Sequence, residues 1–177
     1  MTRIASAVDQ RQPRTADRDR TADGMAHSPR MVRKPKERRK APPPAVIVHS
    51  LDHARAACMA ARALAVPVCL RSAPGAAGYA GPAWFRELAL AVGEDFPDVD
   101  VATSLDCGAA PGDALAALRA GVRTIRLRAP KKVRDKIVTI AARCGARLDD
   151  DRREALDLDG LAEPEAACRA WLALARS

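Results

Sequence analysis

In the stretch SLDCGAAPGDALAALRAG, residues 104–121, an aspartate and a thiol stand side by side as Asp106 and Cys107. They fall where a β-branched run ends and an alanine-rich one is about to begin. A carboxylate at such a strand end can move a proton as general acid or base. Aspartate is equally at home capping a helix or holding a turn. The neighbouring thiol leaves thiol chemistry and simple burial both open. A second candidate is the connection SAPGAAGYAG, residues 72–81. Ser72 offers a hydroxyl there, and Gly75 and its fellow glycines offer free backbone N–H groups, so a phosphate or carboxylate could be cradled. No G-K-[ST] follows and no G-x-G-x-x-G is present, so neither nucleotide-binding fingerprint is met. His49 and His53 are four residues apart, but one falls on a strand and the other on a helix. They do not share the face that a two-histidine metal site uses, and His53 reads as an exposed first-turn residue.

The elements that must position these groups are legible from periodicity. AVIVHS (45–50) reads as a strand and 51–65 as a helix with Leu51, Ala54, Cys58, Ala61 and Leu64 on one face. Residues 66–72 form a second strand, followed by the glycine-rich connection 73–81 and a helix over 82–94 that opens on a proline, tolerated in a first turn. A third strand is expected over 99–106, a helix over 111–121, a fourth strand over 122–128 and a helix over 131–145. Residues 146–151 make a weaker strand candidate and 163–177 a terminal helix. Short βα units in succession imply α/β architecture with parallel strands and right-handed crossovers. Either an open doubly wound sheet or part of a (β/α)₈ barrel satisfies that pattern, with four to five βα units. In both, chemistry gathers at the C-terminal strand ends, here His49, Ser50, Arg71, Ser72, Ser104 to Cys107, and Arg126 to Arg128.

Composition restricts the classes further. The chain has 177 residues, 48% of them apolar but only 3% aromatic, so its core is built from small and aliphatic side chains. No run of eighteen uncharged apolar residues occurs and no apolar segment follows Arg3, which argues against a membrane span or secretory signal and makes a cytoplasmic location the default. The five cysteines are scattered and form no C-x-x-C pair, which fits neither a disulfide framework nor a structural zinc site. Cys58, Cys69, Cys144 and Cys168 lie in apolar patterns and read as small buried hydrophobes. The net charge of +8 is concentrated in residues 1–44, with 12 Lys/Arg against 5 Asp/Glu, while the remainder balances 18 against 17. That basic arm has few large apolar groups and is expected to be disordered, with the body of the protein at 45–177. Its cluster Arg33, Lys34, Lys36, Arg38, Arg39 and Lys40 could contact nucleic acid or another anionic surface weakly, without stacking aromatics to read bases.

Taken in order, these segments resemble the N-terminal half of class II fructose-bisphosphate aldolases, the metal-dependent (β/α)₈ lyases. Residues 66–81 are similar to that family's second strand and serine-glycine loop, and 99–130 to the stretch around its Leu-Asp-His-Gly motif. Residues 133–148 and 161–173 are similar to the elements that follow. The resemblance implies a partial barrel over 45–177, with Asp106 as the proton-shuttling aspartate and Ser72 and Gly75 as substrate contacts. It places Cys107 where the family has its first metal-binding histidine, and the acidic run Asp149 to Asp151 where the family has a Glu-containing strand. A catalytic zinc takes three protein ligands and an open position. On this resemblance the chain stops before the other ligands, so no cofactor is expected unless a second chain supplies them. The resulting expectation is an aldolase-like domain without aldolase activity of its own, binding a small phosphorylated ligand or a partner. The alternatives are an aldol lyase completed by a second chain, and a polyanion binder working through the arm. Half a barrel must also cover its inner face, by opening the sheet, folding the last helix over it, or associating with another copy or half-barrel.

Overall fold

A computed structural model describes residues 42–175. The cluster Arg33 to Lys40, and nearly all of the expected arm, lies outside them. The described chain runs β1 (Ala45–Val48), α1 (Leu51–Leu64), β2 (Val68–Ser72), α2 (Ala76–Tyr79), α3 (Pro82–Asp95), β3 (Val101–Asp106), α4 (Pro111–Arg119) and β4 (Thr124–Arg126). It continues through α5 (Lys131–Arg143), β5 (Arg147–Leu148), β6 (Ala155–Asp157) and α6 (Pro164–Leu174). All strands are parallel, in the order β5-β4-β3-β2-β1-β6. Strands β1 to β5 thus lie side by side in chain order, as in a barrel wall, and not in the reversed order of a doubly wound sheet.

Strand alternation sorts the side chains into two faces. Val46, Val48, Val68 and Leu70 pack outward against Ala54, Ala57, Cys58 and Ala61 of α1, together with Leu88 and Val92 of α3. Leu105 and Ile125 face the second cluster, with Phe85, Ala114, Ala117, Leu118, Ile137 and Ala141. Side chains from every long helix meet this same outer face, which is the singly wound arrangement of a partial barrel. The alanine faces let α1 lie close on the strands, and each fully buried Leu or Ile contributes about 2 kcal/mol. Helix α1 starts where Ser50 Oγ accepts the His53 backbone N–H at 3.1 Å.

The terminal helix joins the outer layer as well. Cys168 and Leu172 enter the cluster around α1, and Trp171 Nε1 donates to the Ala45 carbonyl at 3.1 Å. It does not fold over the inner face. That face is instead crossed by residues 149–154, which link β5 to β6 at opposite ends of the sheet. Seven Cα steps reach at most about 24 Å. Six strands laid flat are themselves about 24 Å wide. The link must also run back from the top of β5 to the foot of β6, so the sheet has to curl. The covering of the inner face is therefore local and polar, supplied by a strap that the periodicity did not suggest.

Strand β6 was not anticipated. Three residues form it only because they pair with the free edge of β1, Ala45 to Ala155 and Ile47 to Asp157, more than a hundred residues away in sequence. The glycine-rich connection also contains the one-turn helix α2, and the expected strand over 146–151 contracts to Arg147–Leu148. Among the described residues no helix is long and apolar enough to cross a membrane.

Candidate functional site

The inner face carries small residues at the foot of the strands, Ala45, Cys69 and Ala102 in one register row. Polar residues follow toward the C-terminal end, with Arg71 beside Ser104 and Asp106 beside Arg126. Arg71, Ser104 and Asp106 are buried. A buried arginine and a half-buried one on the same face demand carboxylates, and the strap supplies them. Asp149 accepts from Ser104 Oγ at 2.9 Å, Arg126 at 2.9 Å and Arg71 at 3.4 Å. Asp151 lies 3.8 Å from Arg71 and 2.9 Å from Arg153, whose guanidinium also bonds the Pro42 carbonyl. Asp150 points the other way, to Arg134 on α5. Burial pushes the Asp149 carboxyl up, but the Asp151 N–H, Arg126 and Ser104 outweigh it and hold it below its ordinary 3.8. Arg153 does the same for Asp151 against a smaller effect of burial.

Asp106 is anchored at the mouth of this network. Its Oδ1 accepts the backbone N–H of Gly75 at 2.8 Å and of Gly108 at 2.7 Å. Arg126 Nε lies 3.7 Å from Oδ2 and Arg128 3.9 Å from Oδ1. Gly75 and Gly108 both have positive φ, +70° and +55°, and a Cβ on Gly108 would sit 3.5 Å from the Gly75 Cα. The positive φ at both positions, open to glycine at little cost, brings the two amides onto one oxygen. Ser72 Oγ accepts the Asp106 N–H at 2.9 Å and donates to the Ala73 carbonyl at 3.2 Å. The Ser72 hydroxyl and the Gly75 amide, both expected as substrate contacts, thus have partners within the protein.

Asp106 and Cys107 are adjacent in sequence and opposite in space. The Cys107 side chain enters the outer cluster beside Ala76, Phe85 and Leu105, and only 1% of the residue is exposed. Burial, with added repulsion from Asp106 and Asp113, pushes its thiol up to about 12. Among the described residues no group of three His, Cys, Asp or Glu side chains converges as a metal site does. A zinc ligand must be deprotonated and must share its ion with other donors, so the residues around Cys107 do not fit one. Cys58 and Cys168 are buried as expected, Cys69 is half-buried, and Cys144 is exposed. Cys144 is the correction: it caps the end of α5 beyond Ile137 and Ala141, the residues that face the core. In the native protein iodoacetamide is expected to alkylate Cys144 first and to spare Cys58, Cys107 and Cys168 until unfolding, as peptide mass spectrometry would read. Alkylation of Cys107 as fast as Cys144 would contradict the burial.

His49 and His53 come together in spite of lying on different elements, with ring centroids 6.0 Å apart, edge to face. The chain turns at Ser50 so sharply that the helix start lies back over the strand end. His53 is half-buried and not exposed, and its Nδ1 is enclosed without a partner among the described residues. His49 Nε2 meets Asp157 Oδ1 at 2.7 Å, a pairing that depends on the unanticipated β6. The role of Asp149 was missed as well. Its available signal was Arg71 and Arg126 at inward-facing strand positions, which need acidic partners.

A singly wound parallel sheet, with its polar groups gathered at the C-terminal strand ends, defines a partial (β/α) barrel. The family model for class II fructose-bisphosphate aldolase matches residues 28–127, more than half of the chain. Over 84 residues the chain is 33% identical to the fructose-bisphosphate aldolase of Xanthobacter flavus, and equally to the plasmid fructose-bisphosphate aldolase of Cupriavidus necator. Each alignment covers 48% of this chain and 24% of the relative, so the matched stretch spans about a quarter of the relatives' length. The chain belongs to the class II fructose-bisphosphate aldolase family, as a partial and divergent member. The matched residues include Ser72, Gly75, Asp106 and Cys107, while the strap, β6 and α6 lie beyond them.

Proposed function

We propose that this chain is an aldolase-family domain that binds a ligand or partner and does not cleave aldols by itself. The observation that carries this reading is the state of Asp106. A proton-shuttling carboxylate must reach the substrate with a free oxygen. Here Oδ1 takes two backbone N–H groups, Oδ2 lies 3.7 Å from Arg126 Nε and the side chain is only 8% exposed, which suits an anchor for the Gly75 and Gly108 turns better than a group that meets substrate. The engaged Ser72 hydroxyl and the outward Cys107 thiol support the same conclusion. A small phosphorylated ligand would meet Arg128, whose side chain is 68% exposed, at the mouth. Arg71 and Arg126 are matched by Asp149 and Asp151, so such binding would be weak.

The test is cleavage of fructose 1,6-bisphosphate by the full chain, with zinc and after chelation, alongside Asp106→Asn. No turnover above buffer in any arm is the expected result. Zinc-dependent turnover that Asp106→Asn abolishes would overturn the reading.

A further inference from the structure

A pocket of about 210 Å³ opens at the C-terminal end of β1, against the glycine-rich connection. Its walls include His49, Tyr79 and Trp84, and its floor Ala73, Ala76 and Ala80. Small-molecule sites are mostly apolar with a few placed polar groups, and in βα folds they gather at this end of the strands. The polar groups here are His49 and the exposed Tyr79 hydroxyl, and of the two only His49 is held by a partner within the protein.

Its ring is oriented by Asp157, which sits 2.7 Å from Nε2. Burial raises the Asp157 carboxyl, but the Asp159 N–H, at 3.0 Å, and the hydrogen bond from His49 outweigh it and keep it below the usual carboxylate range. A carboxylate only accepts, so Nε2 is the nitrogen that donates to it, and in that tautomer of the imidazole Nδ1 is the acceptor. Among the described residues Nδ1 has no hydrogen-bond partner. The Asp157 carboxylate on His49 puts a negative charge at this corner, which disfavours anions, phosphate esters among them.

We infer that this pocket is a binding site for a small neutral molecule with a flat apolar body and one hydroxyl, the hydroxyl donating to His49 Nδ1 and the body lying against Trp84. The volume suits a single substituted ring, since it equals about seven water volumes of ~30 Å³ each. The inference goes beyond the proposed function and stands whether or not the chain cleaves aldols.

Phenol and toluene serve as probes because they differ only in a hydroxyl against a methyl on the same ring. Both are titrated into the full chain while the indole N–H signals are followed by NMR. The Trp171 indole, bonded to the Ala45 carbonyl on the outer layer, is the internal control. The expected result is a saturable shift of Trp84 alone, with phenol binding at least tenfold tighter than toluene. His49→Phe keeps the ring and removes the acceptor, and should erase that preference while toluene still binds. Asp157→Asn, at a half-exposed side chain, should reduce it without disturbing the pocket, and it carries the test if His49→Phe does not fold. A linear shift of both indoles, or an unchanged phenol preference in the variant, would overturn the proposal.

Discussion

Asp149→Ala is expected to lower the unfolding free energy by about 3 kcal/mol, the low end of the range for removing one partner of a buried ion pair. One carboxylate balances Arg71, whose side chain is 7% exposed, and Arg126, which is 23% exposed, and it also accepts from Ser104. Arg126 can turn partly to water when its partner is lost, which favours the low end. Arg71 cannot, and its Nε already lacks a partner among the described residues. A loss of this size is a large fraction of the total stability of about 5–15 kcal/mol typical of a domain. Urea denaturation at neutral pH measures it. Arg71→Met introduced into Asp149→Ala should cost less than the two single losses combined, because it removes the stranded charge. A loss under 1 kcal/mol for Asp149→Ala would mean the strap is not what closes the inner face.

The same network, with the separate His49–Asp157 pair, sets the acid limit of the fold. Asp149, Asp151 and Asp157 are all held below their ordinary 3.8. Depressed carboxylates contribute stability that is fully present above the unfolded value and lost as pH falls through the folded one. The urea midpoint should therefore hold between pH 5 and 7 and fall steeply below about pH 4. In Asp149→Ala that acid dependence should be shallower.

The outer layer of this protein was largely legible in its sequence. β-branched runs separated by alanine-rich stretches place β1 to β4, α1 and α3 to α6 within a few residues, because outward strand positions and helix faces bury themselves by a rule of period. The inner face follows no such rule. Cys69, Arg71, Ser104, Asp106 and Arg126 alternate correctly, yet what lies over them depends on how far the sheet curls. β6 needs the β1 edge before it is a strand at all, and without β6 the His49–Asp157 pair does not exist. Asp106 shows the same limit. Its type and place allowed either a proton shuttle or a turn anchor, and only the approach of Gly75, 31 residues away, distinguishes them.

That distinction is open to direct measurement. Asp106→Ala strands two half-buried N–H donors, and because a fully buried donor left unpaired costs about 1–3 kcal/mol, the loss should be about 2 kcal/mol in all. Asp106→Asn keeps a carbonyl oxygen where Oδ1 stands and can still accept from Gly75 and Gly108. It loses the attraction to Arg126 and Arg128, which are partly to largely exposed, and should cost only about 1 kcal/mol. Amide exchange locates the effect: the Gly75 and Gly108 N–H groups should exchange much faster in the alanine variant and stay protected in the asparagine variant. A catalytic aspartate would give the reverse order, with asparagine abolishing turnover and leaving stability and exchange untouched. Equal exchange at both glycines in wild type and Asp106→Ala would remove the anchor reading, and with it the reason for holding that this corner of an aldolase-family fold has exchanged proton transfer for structure.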